Sequence, residues 1–271
     1  MSMKIAVIIP AAGSSGRYTR HGGVRSKLDE DLGGKSVLQR CVELFSKAES
    51  PDWSIGQVIV AGPFGEEAFA EFKARHGDRL GFLGVTLCRG GETHRAESVA
   101  AALALVTDDH THVAVHDAAR PCAPIEMIER VFDAAARFPA VVPAVEVADT
   151  LKKSRQTDDA GHHDPLAAIL GPLSAPAAKQ KVVVEATIDR AGLRAAQTPQ
   201  VFERELLRRA YGQAESAATD DAAQVERLGC EVVLVDGDTR NIKITRPGDL
   251  ALARAILNVK GPEDRPAHMR F

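Results

Sequence analysis

Apolar runs alternate with amphipathic stretches through the first half of the chain. Residues 5–9, 57–61, 84–88, 112–116 and 140–145 are nearly continuous in apolar character. Runs of this kind suit strands covered on both faces. Between them the period changes. Over residues 36–47, Val37, Leu38, Cys41, Leu44 and Phe45 fall on one face of a helix, and Ser36 with Gln39 has the form of a capping box. Residues 95–106 and 125–137 read as helices in the same way. Strand and helix in alternation predict an α/β fold built on a doubly wound, mostly parallel sheet.

The alternation breaks after Lys153. Residues 154–180 contain Asp-Asp, Gly-His-His-Asp-Pro and an Ala/Pro-rich tract, and read as a long excursion from the core. Excursions of that length are functional arms or disordered segments. His162, His163 and Asp164 have the residue types of a metal site, but their surroundings have the composition of a solvated loop. Residues 182–186 return as a strand, 203–211 and 221–228 as helices, and 231–235 and 241–244 as strands. Pro247 then opens a last helix at a position that proline favours. The predicted organisation is one α/β domain over 1–148 and 191–260, interrupted by an inserted arm over 149–190. A tail over 261–271, with two prolines and little periodicity, follows.

Composition narrows the function classes. A chain of 271 residues can bury a large core, and a net charge of -3 argues against a broad basic surface for nucleic acid. It leaves room for a local anion site. Cys41, Cys88, Cys122 and Cys230 form no CxxC pair and read as reduced core residues. No apolar run is long enough to span a bilayer and the N-terminus has no signal-peptide core, so the expectation is a cytoplasmic protein without membrane attachment.

In an open α/β sheet, ligands bind beyond the carboxyl ends of the strands, and the polar clusters fall there. The first is Pro10-Ala11-Ala12-Gly13-Ser14-Ser15-Gly16-Arg17, with Lys27 further on. Small residues let the backbone approach an anion closely, and the two cations suggest a triphosphate. A bare strand-to-helix turn has the same appearance. The second is Gly90-Gly91 leading through Arg95 to Ser98, which alone reads first as a simple glycine turn with an N-terminal charge pattern, and otherwise as a helix entrance that offers free N–H groups to a nucleotide, with Ser98 suited to reading a base edge. The third is His116-Asp117-Ala118-Ala119-Arg120-Pro121. Its Asp117 is suited to Mg²⁺ and its Arg120 to a phosphate, although an internal Asp–Arg pair is the plainer reading. Asp149-Thr150, Asp189-Arg190 and Thr198-Pro199-Gln200 follow. In Asn241-Ile242-Lys243-Ile244-Thr245, the period of two puts Lys243 and Thr245 on one strand face. There is neither GxxxxGK[ST] nor GxGxxG, so neither a P-loop enzyme nor a dinucleotide binder is indicated.

Taken in order, with Thr219-Asp220, these pieces resemble the 2-C-methyl-D-erythritol 4-phosphate cytidylyltransferase family from about Ile5 to Leu257. The resemblance implies a nucleotidyltransferase-type, Rossmann-like domain with a β-arm that reaches into a partner subunit of a homodimer. It implies CTP and a polyol phosphate as substrates, with Mg²⁺ or another divalent cation. Arg17 and Lys27 match residues that stabilise the transition state on the α-phosphate, and Arg190 and Lys243 match residues that position the attacking phosphate. Ala11, Ala12, Gly13, Gly16, Gly91, Arg95, Ser98, Asp117 and Ala119 fall on the nucleotide side. Arg120, Thr150, Thr219 and Thr245 fall on the acceptor side, with Arg190 contributed across the dimer.

The chain departs from the family pattern at Ser15, where glycine is usual, and at Ser26, where proline is customary. The loop between Arg17 and Lys27 is longer, an additional residue separates Gly91 from Arg95, and the arm is extended. Two alternatives stay open at this point. One is a cytidylyltransferase for another polyol phosphate, such as ribitol 5-phosphate. The other is a nucleotide-binding protein without catalysis, for which a missing cation would be the signature; Arg17, Lys27, Arg190 and Lys243 are all present.

Overall fold

A computed structural model describes residues 2–158, 180–213 and 220–262. In chain order the elements are β1 (Met3–Pro10), α1 (Gly16–Arg20), α2 (Val37–Glu43), β2 (Trp53–Gly62), α3 (Glu66–Phe82), β3 (Val85–Arg89), α4 (Arg95–Leu103), β4 (His112–Val115) and α5 (Ile125–Ala135). They continue with β5 (Ala140–Glu146), β6 (Leu151–Asp158), β7 (Gln180–Ile188), β8 (Arg194–Ala196), β9 (Gln200–Glu203), α6 (Arg204–Tyr211), α7 (Asp221–Glu226), β10 (Val233–Asp236) and α8 (Gly248–Leu257).

Strand β1 shows why the sheet is covered on both faces. Successive side chains point to opposite sides, and both sets are apolar. Ile5, Val7 and Ile9 enter one core with residues of α2, α3, α5 and α8; Ala6 and Ile8 enter another with residues of α4, α6 and α7. The resulting sheet runs β10-β5-β9-β4-β1-β2-β3. Along this path the pairs are parallel except at β9, which pairs antiparallel with both β4 and β5, and β8 also pairs with β5. The chain winds outward from β1 through β2 to β3, then returns to lay β4 on the other side of β1. That reversal opens a crevice at the carboxyl ends of β1 and β4. Both ends are tied down, by Ala11 N–H donating to the Ala61 carbonyl (2.7 Å) and His116 N–H to that of Ile8 (2.9 Å).

The chain divides into two units: residues 1–145 with 196–271, and residues 146–195. Within the second, β6 and β7 form an antiparallel ribbon from Leu151↔Ile188 to Asp158↔Gln180, with a register shift at Lys153/Ser154. Residues 154–158, expected to belong to an irregular excursion, are therefore strand. His162, His163 and Asp164 lie outside the described residues, as does the tail from residue 263.

Two further expectations need correction. Residues 241–244 are not a strand. Burial falls at Asn241 and Ile244, three positions apart rather than two, and the backbone bonds lead to Asp238, Arg240 and Ala119 instead of a ladder. The capping box is half formed: Ser36 Oγ accepts from Gln39 N–H (3.1 Å), but the Gln39 amide donates to Glu43 (3.0 Å). Among the described residues, no helix is long and apolar enough to cross a membrane.

Candidate active site

A cavity of about 350 Å³ opens at the crevice between β1 and β4. The loop after β1 supplies Ala11, Ala12, Gly13 and Ser14, and Arg17 and Lys27 follow it. The loop after β3 supplies Gly91 to Arg95, with Ser98 beyond it. Asp117 to Ala119 follow β4, and Lys243 enters from residues 241–245.

Ser15 sets the course of the first loop. Its φ of 55° is left-handed, a conformation that costs a side-chain-bearing residue about 1–2 kcal/mol. The turn directs the chain into α1, where the Ser15 carbonyl accepts from Thr19 N–H (3.0 Å). Tyr18, buried on α1, donates to Glu30 (3.1 Å). Ser15 Oγ meets Ser26 Oγ (3.2 Å) and accepts from Lys27 N–H (3.3 Å). The two departures from the family pattern thus touch each other.

At the second loop, glycine is required by close approach. A Cβ on Gly90 would lie 2.7 Å from the Gly62 carbonyl oxygen and 2.9 Å from Ala12 Cβ; one on Gly91 would lie 1.9 Å from Glu97 Cβ. Ser98 Oγ accepts from Gly91 N–H (3.0 Å), so this hydroxyl shapes the glycine turn as well as lining the cavity.

Asp117 is the electrostatic hub. Its Oδ2 faces Lys243 Nζ at 2.8 Å and Arg120 Nε at 3.2 Å, and its Oδ1 faces Arg95 Nε at 3.4 Å. Burial opposes the charge, but Arg95, Lys243 and Arg120 outweigh it and hold the carboxyl well below the usual carboxylate range. Arg95 is itself held from behind by the fully buried Asp221 (2.7 Å), which also accepts from Tyr211. Lys27 titrates lower than an ordinary lysine, first because of burial and then because of the neighbouring charges of Lys243 and Arg17, with Asp117 acting in the opposite sense. The cations are thus close enough to feel one another.

A layer beneath the cavity fixes Asp117 and Lys243. Asp117 N–H donates to Thr198 Oγ1 (3.0 Å), which meets His116 Nδ1 (3.2 Å), while His116 Nε2 meets the Arg120 carbonyl (3.1 Å). A carbonyl only accepts, so Nε2 carries the proton and Nδ1 accepts from the Thr198 hydroxyl. Asn241 Nδ2 donates to the Thr198 carbonyl (2.9 Å), and Gln200 donates to Asp220 (2.9 Å) and accepts from Ala222 N–H (2.9 Å). The Thr-Pro-Gln piece is therefore scaffolding for the site.

Of the residues singled out in the sequence, the cavity brings together Ala11, Ala12, Gly13, Arg17, Lys27, Gly91, Arg95, Ser98, Asp117, Ala119 and Lys243. Others lie elsewhere. Gly16 begins α1, and its carbonyl accepts from Arg20 (3.1 Å). Arg120 turns inward, donating to Asp117 and to the Asn241 carbonyl (2.7 Å). Thr245 bonds Asp249 (2.9 Å) at the start of α8. Thr150 and Arg190 belong to the second unit, where Arg190 donates to the Ala148 carbonyl. Thr219 is outside the described residues. Ser14, Thr93 and His94 also line the cavity. Their signal was adjacency to the small-residue loop and the glycine pair.

Comparison with known proteins gives one family throughout. The family model of 2-C-methyl-D-erythritol 4-phosphate cytidylyltransferase matches residues 5–164 and 167–259. A relative of that name from Streptomyces coelicolor is 39% identical over 257 residues, 94% of this chain and 85% of the relative. One from Neisseria gonorrhoeae is 33% identical, over 95% of this chain and 99% of the relative. Among solved structures, a 4-diphosphocytidyl-2C-methyl-D-erythritol synthase superposes with a TM-score of 0.69 at 31% identity, covering 95% of this chain and 100% of that one. The 2-C-methyl-D-erythritol 4-phosphate cytidylyltransferase of Thermus thermophilus gives 0.66 at 30% identity, with the same coverage of 95% and 100%. With its nucleotidyltransferase fold, its cationic crevice and this likeness along nearly its whole length, the chain belongs to the 2-C-methyl-D-erythritol 4-phosphate cytidylyltransferase family of enzymes.

Proposed function

We propose that this chain transfers a cytidylyl group from CTP to 2-C-methyl-D-erythritol 4-phosphate and releases pyrophosphate, in the non-mevalonate route to isoprenoid precursors. A phosphate oxygen of the acceptor attacks the α-phosphorus in line. The bond from that phosphorus to the bridging oxygen of the β-phosphate breaks, and its electron pair leaves with pyrophosphate. Both reactants are anions, so repulsion and alignment are the obstacles, and no protein nucleophile is needed. The observation that carries the reading is that Arg17, Lys27 and Lys243 line one cavity, over a carboxylate that orients Lys243.

In this reading Arg17 and Lys27 offset charge that grows on the α-phosphate, and Lys243 holds the acceptor phosphate beside it. Ala11, Ala12, Gly13 and the Gly91 turn receive the nucleotide. A divalent cation fits Asp117: its Oδ1 has only one long contact, and Mg²⁺ bound to a triphosphate needs few protein ligands. When bound, the ion supplies positive charge against the triphosphate oxygens. Among the described residues there is no cluster of three or more His, Cys, Asp or Glu side chains for a dedicated protein cage. Thr150 and Arg190 belong to the acceptor side, Arg190 arriving from the partner of a homodimer. The four unpaired cysteines suit a reducing cytoplasm.

The test is pyrophosphate release from CTP and Mg²⁺ with each acceptor in turn. The expected result is turnover with 2-C-methyl-D-erythritol 4-phosphate and little with ribitol 5-phosphate. Faster turnover of ribitol 5-phosphate, or release with neither, would overturn the reading.

A further inference from the structure

Two like charges, Arg17 and Lys27, stand at one cavity on segments joined by the loop over residues 18–26. Between them Gly22 takes a φ of 95° and Val24 is 97% exposed. Charges repel, so the two segments need ties between them, and Tyr18 on α1 supplies one by donating to Glu30 at 3.1 Å. Ser15 supplies another, next to the cations themselves. It is left-handed at φ 55°, and a side chain persists in that region only where its surroundings over-determine it. Here they do. The Ser15 carbonyl accepts from Thr19 N–H at 3.0 Å, fixing the entry to the helix that carries Arg17. On the other side its Oγ accepts from Lys27 N–H at 3.3 Å and shares a hydrogen bond with Ser26 Oγ at 3.2 Å. Ser26 Oγ in turn accepts from Leu28 N–H at 3.4 Å.

We infer that Ser15 and Ser26 form a hydroxyl latch that sets the position of Lys27 relative to Arg17, making both serines positioning residues for the transfer step. Neither hydroxyl has to touch substrate. Glycine at position 15 would relax the backbone but leave Lys27 N–H without its partner, and alanine would keep the strain and lose the bond. Asparagine tolerates the left-handed region and offers a carbonyl oxygen in place of the hydroxyl.

The inference rests on the transferase reading, so two readouts are needed. The first is kinetic, with CTP, Mg²⁺ and 2-C-methyl-D-erythritol 4-phosphate. Ser15→Ala lowers kcat about fivefold to tenfold and leaves the KM for CTP within about twofold, on the scale of one hydrogen bond. Ser15→Asn recovers most of the loss. Because the latch acts through Lys27, Ser15→Ala causes no further loss in a Lys27→Ala background. The second is amide hydrogen exchange in the free protein, which needs no activity. Exchange at Lys27 N–H speeds up about tenfold in Ser15→Ala while the amides of β1 stay unchanged. An equal fractional loss of kcat with and without Lys27, or a Lys27 amide indifferent to Ser15, overturns the latch. A wild-type protein that releases no pyrophosphate overturns the transferase reading instead, and the exchange experiment still decides whether the latch exists.

Discussion

His116 does not itself line the cavity, yet its protonation state supports the carboxylate of its neighbour Asp117. Burial pushes its pKa down to about 4, so it is neutral at pH 7, as its bonds to Thr198 and Arg120 require. The sign follows. The unfolded chain takes up a proton at an ordinary histidine pKa of about 6.5, and the folded one only near 4, so stability present above pH 6.5 is lost as the pH falls toward 4. Between pH 7 and 4.5 this residue alone removes about 2 to 3 kcal/mol. Urea unfolding at both pH values checks it: wild type should lose that much more than His116→Gln, and equal losses would contradict the assignment. At this scale the sequence was readable in residue type and less so in direction. Asp117 was legible as a charge at a strand end, and Lys243 as a charge in a segment that reads as strand but is not one. Arg120 was not legible as an inward-facing group, because its partner carbonyl comes from Asn241, far along the chain.

Elements were legible where a strand is buried on both faces, as in β1, β2 and β4, because continuous apolar character leaves few alternatives. They were hidden where the signal was thin. Helix α3 buries only Phe72, His76 and Leu80, a single row on an otherwise polar helix. Strand β9 is four residues long, and nothing in so short a run reveals that it enters the sheet antiparallel. The β6–β7 ribbon was half legible: β7 has an apolar run, whereas β6, largely Lys, Ser, Arg, Gln and Thr, reads as loop. Arg190 lies just past that ribbon, and its proposed service to a partner subunit has a direct consequence. Lys27→Ala and Arg190→Ala homodimers should each be nearly inactive. Co-expressed, they form mixed dimers with one intact site, giving about a quarter of wild-type activity by random assortment. Activity no higher than either variant alone would contradict a shared site.

For the molecule as a whole, the net charge is -3 while the crevice gathers Arg17, Lys27, Arg95 and Lys243 around one principal carboxylate. The positive field is local and built by placement: the reversal between β1 and β4 brings two loops together, and buried bonds from Thr198, Asn241 and Asp221 stop the charges from drifting apart. Catalysis by such a clamp depends on cations aimed at charge that develops during the reaction, so losing one should slow the chemical step more than it weakens binding. The most direct test is the kinetics of Lys27→Ala with CTP and 2-C-methyl-D-erythritol 4-phosphate. The clamp predicts a fall in kcat of about 10²–10³ with CTP affinity within about threefold of wild type. An unchanged kcat with markedly weaker CTP binding would contradict it.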